Sequence, residues 1–304
     1  MSTLPAAPRE GPLLPNEPRI ADPAREAALT ATHLLPVLDD LDAFFRALRA
    51  RLDDALRRRL PMKEGKPYPK GQCLEISQAA QQALGRLLPQ DVGGAPARGF
   101  AALMAFARAG GTVRQVWGAL RETYFQNAFL VGTLYVDVAN DTVNPAKPPV
   151  EILPFAEANL APITDYAHFA RIAHSYWDVV TTPNHVFPAL APYFPLLAFY
   201  SDGSVQLQAP SDYMLALTLT QAFAPSIHAL DAPAMPTERF AAVTARLAGS
   251  VKPLPPDAEA GRAAALQACA RYAANGWHSQ PERRTQAVQS LLALGPRLRA
   301  ASEG

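Results

Sequence analysis

The chain has 304 residues, 49% of them apolar, enough to bury a core and to leave room for more than one compact region. Its 28 Lys and Arg nearly balance 27 Asp and Glu, so no global field draws it to nucleic acid or to an anionic membrane surface. The 30 prolines are about twice the ordinary share and cut the chain into short pieces, while Cys73 and Cys269 lie too far apart for a zinc spacing or a small disulfide framework, which suits a reducing, cytoplasmic setting.

Residues 1–24 carry prolines at positions 5, 8, 12, 15, 18 and 23 and no apolar signal-peptide core, so they are expected to form an extended, disordered arm rather than a secretion leader. Leu38, Leu41, Phe45, Leu48, Leu52 and Ala55 then recur at steps of three and four, which places them on one stripe of a helix over residues 36–60. Asp39, Asp40 and Asp42 near its start and Arg57, Arg58 and Arg59 at its end each oppose the helix dipole. The stripe has fewer heptads than a coiled coil needs, so it is expected to dock on the protein's own core.

Pro67-Tyr-Pro-Lys-Gly71 reads as a loop, and a helix is expected to begin near Cys73. A short helix over residues 100–109 is broken by Gly110-Gly111, and a strand follows over residues 112–120. Residues 124–141, YFQNAFLVGTLYVDVAND, are the strongest strand signal in the chain, apolar on both faces and so expected to be covered on both. Gly132-Thr133 within it fits either a two-residue hairpin turn or a bulge in one long strand. Further along, Thr164 or Asp165 can cap a helix to Asp178, residues up to about 195 are irregular, and Asp202-Gly203 marks a hairpin over residues 196–208. Helices follow over residues 212–223 and 236–247, then a KPLPP linker and two closing helices over residues 257–275 and 281–298. The uncharged runs over residues 179–201 and 213–230 are interrupted by prolines and polar groups, so no membrane span is expected.

Cys73 is the sharpest chemical candidate. A thiol at a helix start meets unsatisfied N–H groups and the positive end of the dipole, both of which favour the thiolate, and Lys70 could add to them. A cysteine on a helix start followed by a buried antiparallel strand resembles the general scheme of cysteine hydrolases and acyltransferases, in which that strand carries the base. The resemblance implies an amide or ester substrate attacked by Cys73, with Gln72 steadying the oxyanion. The departure is that no histidine occurs between His33 and His168, and the strand offers Gln126, Asn127 and Asp137 instead. The base would come from a downstream histidine, His174 or His185 foremost, oriented by Asp137 or Asn127. Asp137 is expected to share a strand face with Tyr135 and Asn127; Gln126 and Tyr135 are candidate substrate contacts.

The competing readings are structural. Gln126 and Asn127 must each find a hydrogen bond on its own side of the sheet or cost about 1–3 kcal/mol; free cysteine is commonly a core residue; and Asp137, Asn140, Asp141 and Asn144 can simply cap turns. His174 and Asp178, four apart, could form a helix-surface pair. No phosphate loop, nucleophile elbow or zinc-peptidase motif occurs, and neither a metal nor a cofactor is expected. The chain therefore reads as an α+β protein, mostly helical, with a small antiparallel sheet centred on residues 113–139. The expected organisation is an arm over residues 1–24, a main domain over residues 25–250 and a helical pair over residues 251–304 packed on it. Its function reads as a cysteine-dependent hydrolase or transferase, or else as a non-catalytic protein whose Pro-rich arm and helix 36–60 engage a protein partner.

Overall fold

The computed structural model describes residues 11–208, 211–247 and 254–299. The fold is mixed α+β, with antiparallel sheets, and the chain divides into two compact units, one holding Asn16–Pro162 and the other combining residues 11–15 with those from Ile163 onward. The boundary falls well before residue 250 because the closing helices share one apolar core with the strands and helices that precede them, Val205, Leu207, Val243, Tyr272, Ala287 and Leu298 belonging to a single cluster. The first part of the arm, residues 1–10, and two residues of the linker, 252–253, lie outside the described residues.

In the first unit, helix α1 (Pro23–His33) starts at a cap in which the Asp22 carboxylate accepts the Arg25 N–H, with Pro23 in the first turn where its missing N–H is no loss. A single 3-10 turn over Leu35–Val37 leads into α2 (Leu38–Arg59). The apolar stripe of α2 docks on the unit's own core: Leu41, Phe44, Phe45, Leu48 and Leu56 are buried. After a two-strand ribbon, β1 (Met62–Lys63) and β2 (Lys66–Pro67), come α3 (Cys73–Leu84) and α4 (Ala95–Arg108). Phe44 stacks on Phe100 of α4 with ring centroids 5.1 Å apart, and the helices approach so closely that a Cβ on Gly99 would stand 2.1 Å from the Asp40 carbonyl oxygen.

Five strands follow: β3 (Val113–Leu120), β4 (Tyr124–Val131), β5 (Leu134–Asp137), β6 (Glu151–Pro154) and, after the short helix α5 (Phe155–Ala158), β7 (Leu160–Ala161). They form one antiparallel sheet in the order β6-β5-β4-β3-β7. Gly132, at φ +62°, and Thr133 turn the chain between β4 and β5, so Val131 pairs with Leu134 and the segment is a hairpin, not one bulged strand. Both faces are covered. Phe129, Val131, Leu134 and Val136 pack with the helices, while Val116, Leu130 and Tyr135 form a second cluster with Ala158, Leu160 and Ile20.

The expectation of a free arm does not hold over residues 16–19. There the Asn16 carbonyl accepts the Trp117 N–H at 2.8 Å, and the Arg114 guanidinium donates to the carbonyls of Glu17 (2.7 Å) and Arg19 (2.6 Å). A proline segment suits this place because Pro18 has no N–H left to satisfy once its neighbours' carbonyls have found donors.

The second unit contains α6 (Tyr166–Trp177), capped by Asp165, and a three-strand antiparallel sheet, β10-β9-β8, from β8 (Val180–Pro183), β9 (Leu196–Phe199) and β10 (Val205–Gln208). Strand β8 lies in the stretch expected to be irregular; it is an edge strand that ends on a proline, where a missing N–H costs nothing. Five helices complete the unit: α7 (Asp212–Leu219), α8 (Ala224–Leu230), α9 (Thr237–Arg246), α10 (Ala258–Ala274) and α11 (Pro281–Arg299). Among the described residues no helix is long and apolar enough to cross a membrane.

Candidate functional site

Cys73 opens α3, where the chain comes out of the loop at Gly71 (φ +71°). That loop is tied down: the Gly71 N–H donates to the Thr142 carbonyl (3.0 Å), and Lys63 Nζ donates to the Gly71 carbonyl (3.0 Å) and to Glu75 (2.7 Å). Gln72, at the cap position, donates through Nε2 to the Leu60 carbonyl at 3.0 Å, leaving its buried Oε1 without a partner. The helix then lies on β4, where the Ser77 hydroxyl donates to the Asn127 carbonyl at 3.1 Å.

This docking decides the state of the thiol. Cys73 is 8% exposed, and Asn127 Nδ2 donates to its sulfur at 3.6 Å. Burial pushes the thiol up from its ordinary value; the Asn127 hydrogen bonds and the charge on Lys63 oppose that shift without cancelling it, and Asp137 adds to it. A helix start alone favours a thiolate, but here loss of water outweighs the dipole. The cation that acts on the sulfur is Lys63 from the ribbon, whereas Lys70 is exposed.

The two carboxamides of β4 point to opposite faces. Asn127 faces Cys73, and the β4–β5 register, which pairs Phe129 with Val136, continues to set Asn127 opposite Val138. Gln126 is on the far side with Tyr135 and Asp137, so the expectation that Asp137 shares a face with Asn127 is corrected: an odd-numbered residue of β4 aligns with an even-numbered one of β5. Asp137 is fully buried and accepts three hydrogen bonds, from Gln126 Nε2 (2.7 Å), the Tyr135 hydroxyl (2.9 Å) and the Ala139 N–H (2.7 Å). Burial pushes its carboxyl up to about 6, the three donors holding back part of the shift. The Tyr135 phenol is pushed well up, first by burial and then by the charge of Asp137.

His185 and His174, the two foremost candidates for a base, have local partners. His185 is buried; its Nδ1 accepts the Met235 N–H (3.2 Å), so the ring proton sits on Nε2 and donates to the Leu230 carbonyl (3.0 Å). Burial lowers its pKa, and the ring is held as a neutral tautomer with both nitrogens occupied. His174 Nδ1 donates to the Val179 carbonyl at 3.1 Å and not to Asp178, because α6 ends at Trp177 and Asp178 turns away in the left-handed region at φ +53°. Within Asn16–Pro162 the sequence has a single histidine, His33, in the last turn of α1.

Arg49 carries no motif signal, yet it organises the polar exit of β5. It is 2% exposed and donates to both oxygens of Asp141 (2.9 and 3.1 Å), to Asp53 (2.6 Å) and to the Val138 carbonyl (2.8 Å). The sign that was there to read is an arginine one turn from Phe45 on the buried stripe of α2, with an aspartate one turn beyond it. Asn140 donates to the Pro148 carbonyl, and Asn144 accepts the Ala146 N–H; both close turns. Among the described residues no three His, Cys, Asp or Glu side chains are grouped as a metal site.

Two concave places lie in this unit. One, of about 240 Å³, is bounded by Phe100, Leu103, Met104 and Phe129; the other, of about 320 Å³, runs between α2 and α3. Comparison of the chain with protein-family models, with curated proteins and with solved structures gives no match.

Proposed function

We propose that this protein works by binding and not by catalysis, its first unit being a scaffold in which α2 and α3 are held against an antiparallel sheet centred on residues 113–139. What carries the reading is the Cys73 thiol: it is buried, its burial favours the neutral form, and its polar partner is a carboxamide that can donate a hydrogen bond but cannot take a proton. Gln126, Tyr135 and Asp137 serve the same scaffold from the other face. The expected test is alkylation of the folded protein by iodoacetamide across pH. A structural thiol stays unreactive below about pH 8.5 and is labelled only on unfolding.

The alternative is a hydrolase or acyl transferase with Cys73 as nucleophile and the Asn127 side-chain N–H as oxyanion donor. One observation favours it, the seating of the sulfur on the first residue of α3 beside a side-chain N–H donor. Stoichiometric alkylation at Cys73 near pH 6–7 would establish it and overturn the binding reading.

A further inference from the structure

The groove between α2 and α3 is the place where a binding protein of this build would take its partner, and this inference rests on the non-catalytic reading above. The helices run antiparallel. Helix α2 ends at Arg59, the ribbon reverses the chain, and the Gln72 side chain ties the start of α3 back to Leu60. Leu52 and Leu56 from one helix and Ala79 and Ala83 from the other give the groove an apolar floor, flanked by Gln78 and Gln82, and the alanines keep it open. A third helix seats in such a trough by the same ridge-and-groove fit that packs helices in cores.

The ends of the groove are cationic. Arg59 stands at the end shared with Glu75, and Arg86 at the opposite end, past the last turn of α3. Neither guanidinium forms an ion pair or hydrogen bond among the described residues, unlike those of Arg46, Arg49, Arg98 and Arg121 of the same unit. Glu75 pairs with Lys63 through one oxygen, while its other oxygen is buried and has no donor. From Glu75 to the end of α3 at Leu84 the helix runs about 14 Å at about 1.5 Å per residue, and Arg86 stands two residues beyond it.

We propose that this groove binds an amphipathic helix of a partner protein that carries carboxylates about three turns apart on either side of an apolar stripe. The carboxylates meet Arg59 and Arg86, and the stripe covers the leucine and alanine floor. Nucleic acid would need a continuous basic track, and here the two cations are separated by an apolar floor. A membrane surface would need protruding apolar side chains, and here they are recessed.

The test uses the full chain and a fluorescein-labelled, helix-forming peptide with two glutamates three turns apart and leucines between them on the same face. Anisotropy is expected to show saturable binding, weakened about tenfold or more by the double variant Arg59→Glu/Arg86→Glu and abolished by Ala79→Trp, which fills the trough. A matching peptide with lysines for the glutamates should fail on the native chain and bind the charge-reversed variant. Circular dichroism and melting would verify that the exposed arginine substitutions, and the half-buried one at Ala79, leave the fold intact. Equal binding of the two peptides, or full binding by the Ala79→Trp variant, overturns the assignment. If the peptide fails while Cys73 stays inert to iodoacetamide, the groove is wrong and the non-catalytic reading stands; if it binds while Cys73 alkylates near pH 7, the reverse holds.

Discussion

Replacing Arg49 by Met keeps an unbranched apolar stem and removes four hydrogen bonds at once. The guanidinium bridges α2 to the exit of β5: Asp141 takes two bonds, Asp53 a third, and the Val138 carbonyl a fourth. Burial opposes its charge, yet the hydrogen bonds and charges of Asp141 and Asp53 more than offset that, so it stays protonated. Removing one partner of a buried ion pair costs about 3–5 kcal/mol, because the other charges are left uncompensated. Asp53 and Asp141 keep 25% and 14% side-chain exposure, so water relieves part of that and the low end, about 3 kcal/mol, is expected. At about 2–4 °C per kcal/mol for a unit of this size, the melting temperature should fall by about 6–12 °C. Thermal and urea unfolding at pH 7 measure it. Arg49→Met/Asp141→Leu should recover part of the loss, since no buried carboxylate then faces the methionine on that side. A loss below about 1 kcal/mol, the size of an exposed ion pair, would refute the claim that this arginine fastens the strand exit.

Asp137 makes stability depend on pH with a definite sign. Its carboxyl is raised from 3.8 to about 6 in the folded state, so its contribution is fully present below about pH 4 and is lost as pH rises through about 6, by about 3 kcal/mol in all. Comparing urea midpoints of the native chain and Asp137→Asn from pH 4 to 7.5 isolates this, and a difference that stays constant with pH would contradict it. Asn127→His places an imidazole where a carboxamide now stands 3.6 Å from the Cys73 sulfur; iodoacetamide labelling at pH 7 should rise by about tenfold for each unit by which the thiol pKa falls, and unchanged labelling would mean that the sulfur is sealed from solvent whatever its partner. Gly99→Ala should destabilise the first unit by about 1–3 kcal/mol despite the gain of about 1 kcal/mol in helix propensity, because the new Cβ would stand 2.1 Å from the Asp40 carbonyl oxygen. A variant melting at or above the native temperature would show that α2 and α4 can separate freely.

Much of the local structure follows from the sequence by itself. The stripe of α2, the helix start at Cys73, the aspartate caps before α6 and α10, and the strand character of residues 124–137 are all set by neighbours within a few positions, so propensity and period suffice. That Gln126 and Asn127 take opposite sides of the sheet follows from the two-residue period alone. Pairing across the turn was open, because Gly132 fits both a turn and a bulge, and the choice decides which face Asp137 joins. Only the assembled unit puts Asp137 with Gln126 and leaves Asn127 opposite Val138.

The same holds wherever the deciding quantity is access to water. A thiol at a helix start reads as reactive until α3 is laid on β4 and Cys73 loses its solvent. Arg49 has Asp53 as a partner on its own helix, and only the exit of β5, folding back onto α2, supplies the second carboxylate from far along the chain. Residues 16–19 read as free arm until Trp117 and Arg114 of β3 offer donors to their carbonyls. Propensities, caps and periodicities depend on the bonded neighbourhood and are written in the chain. Burial, and with it the charge state of every candidate group, depends on which distant segments close over it, and only tertiary structure decides that.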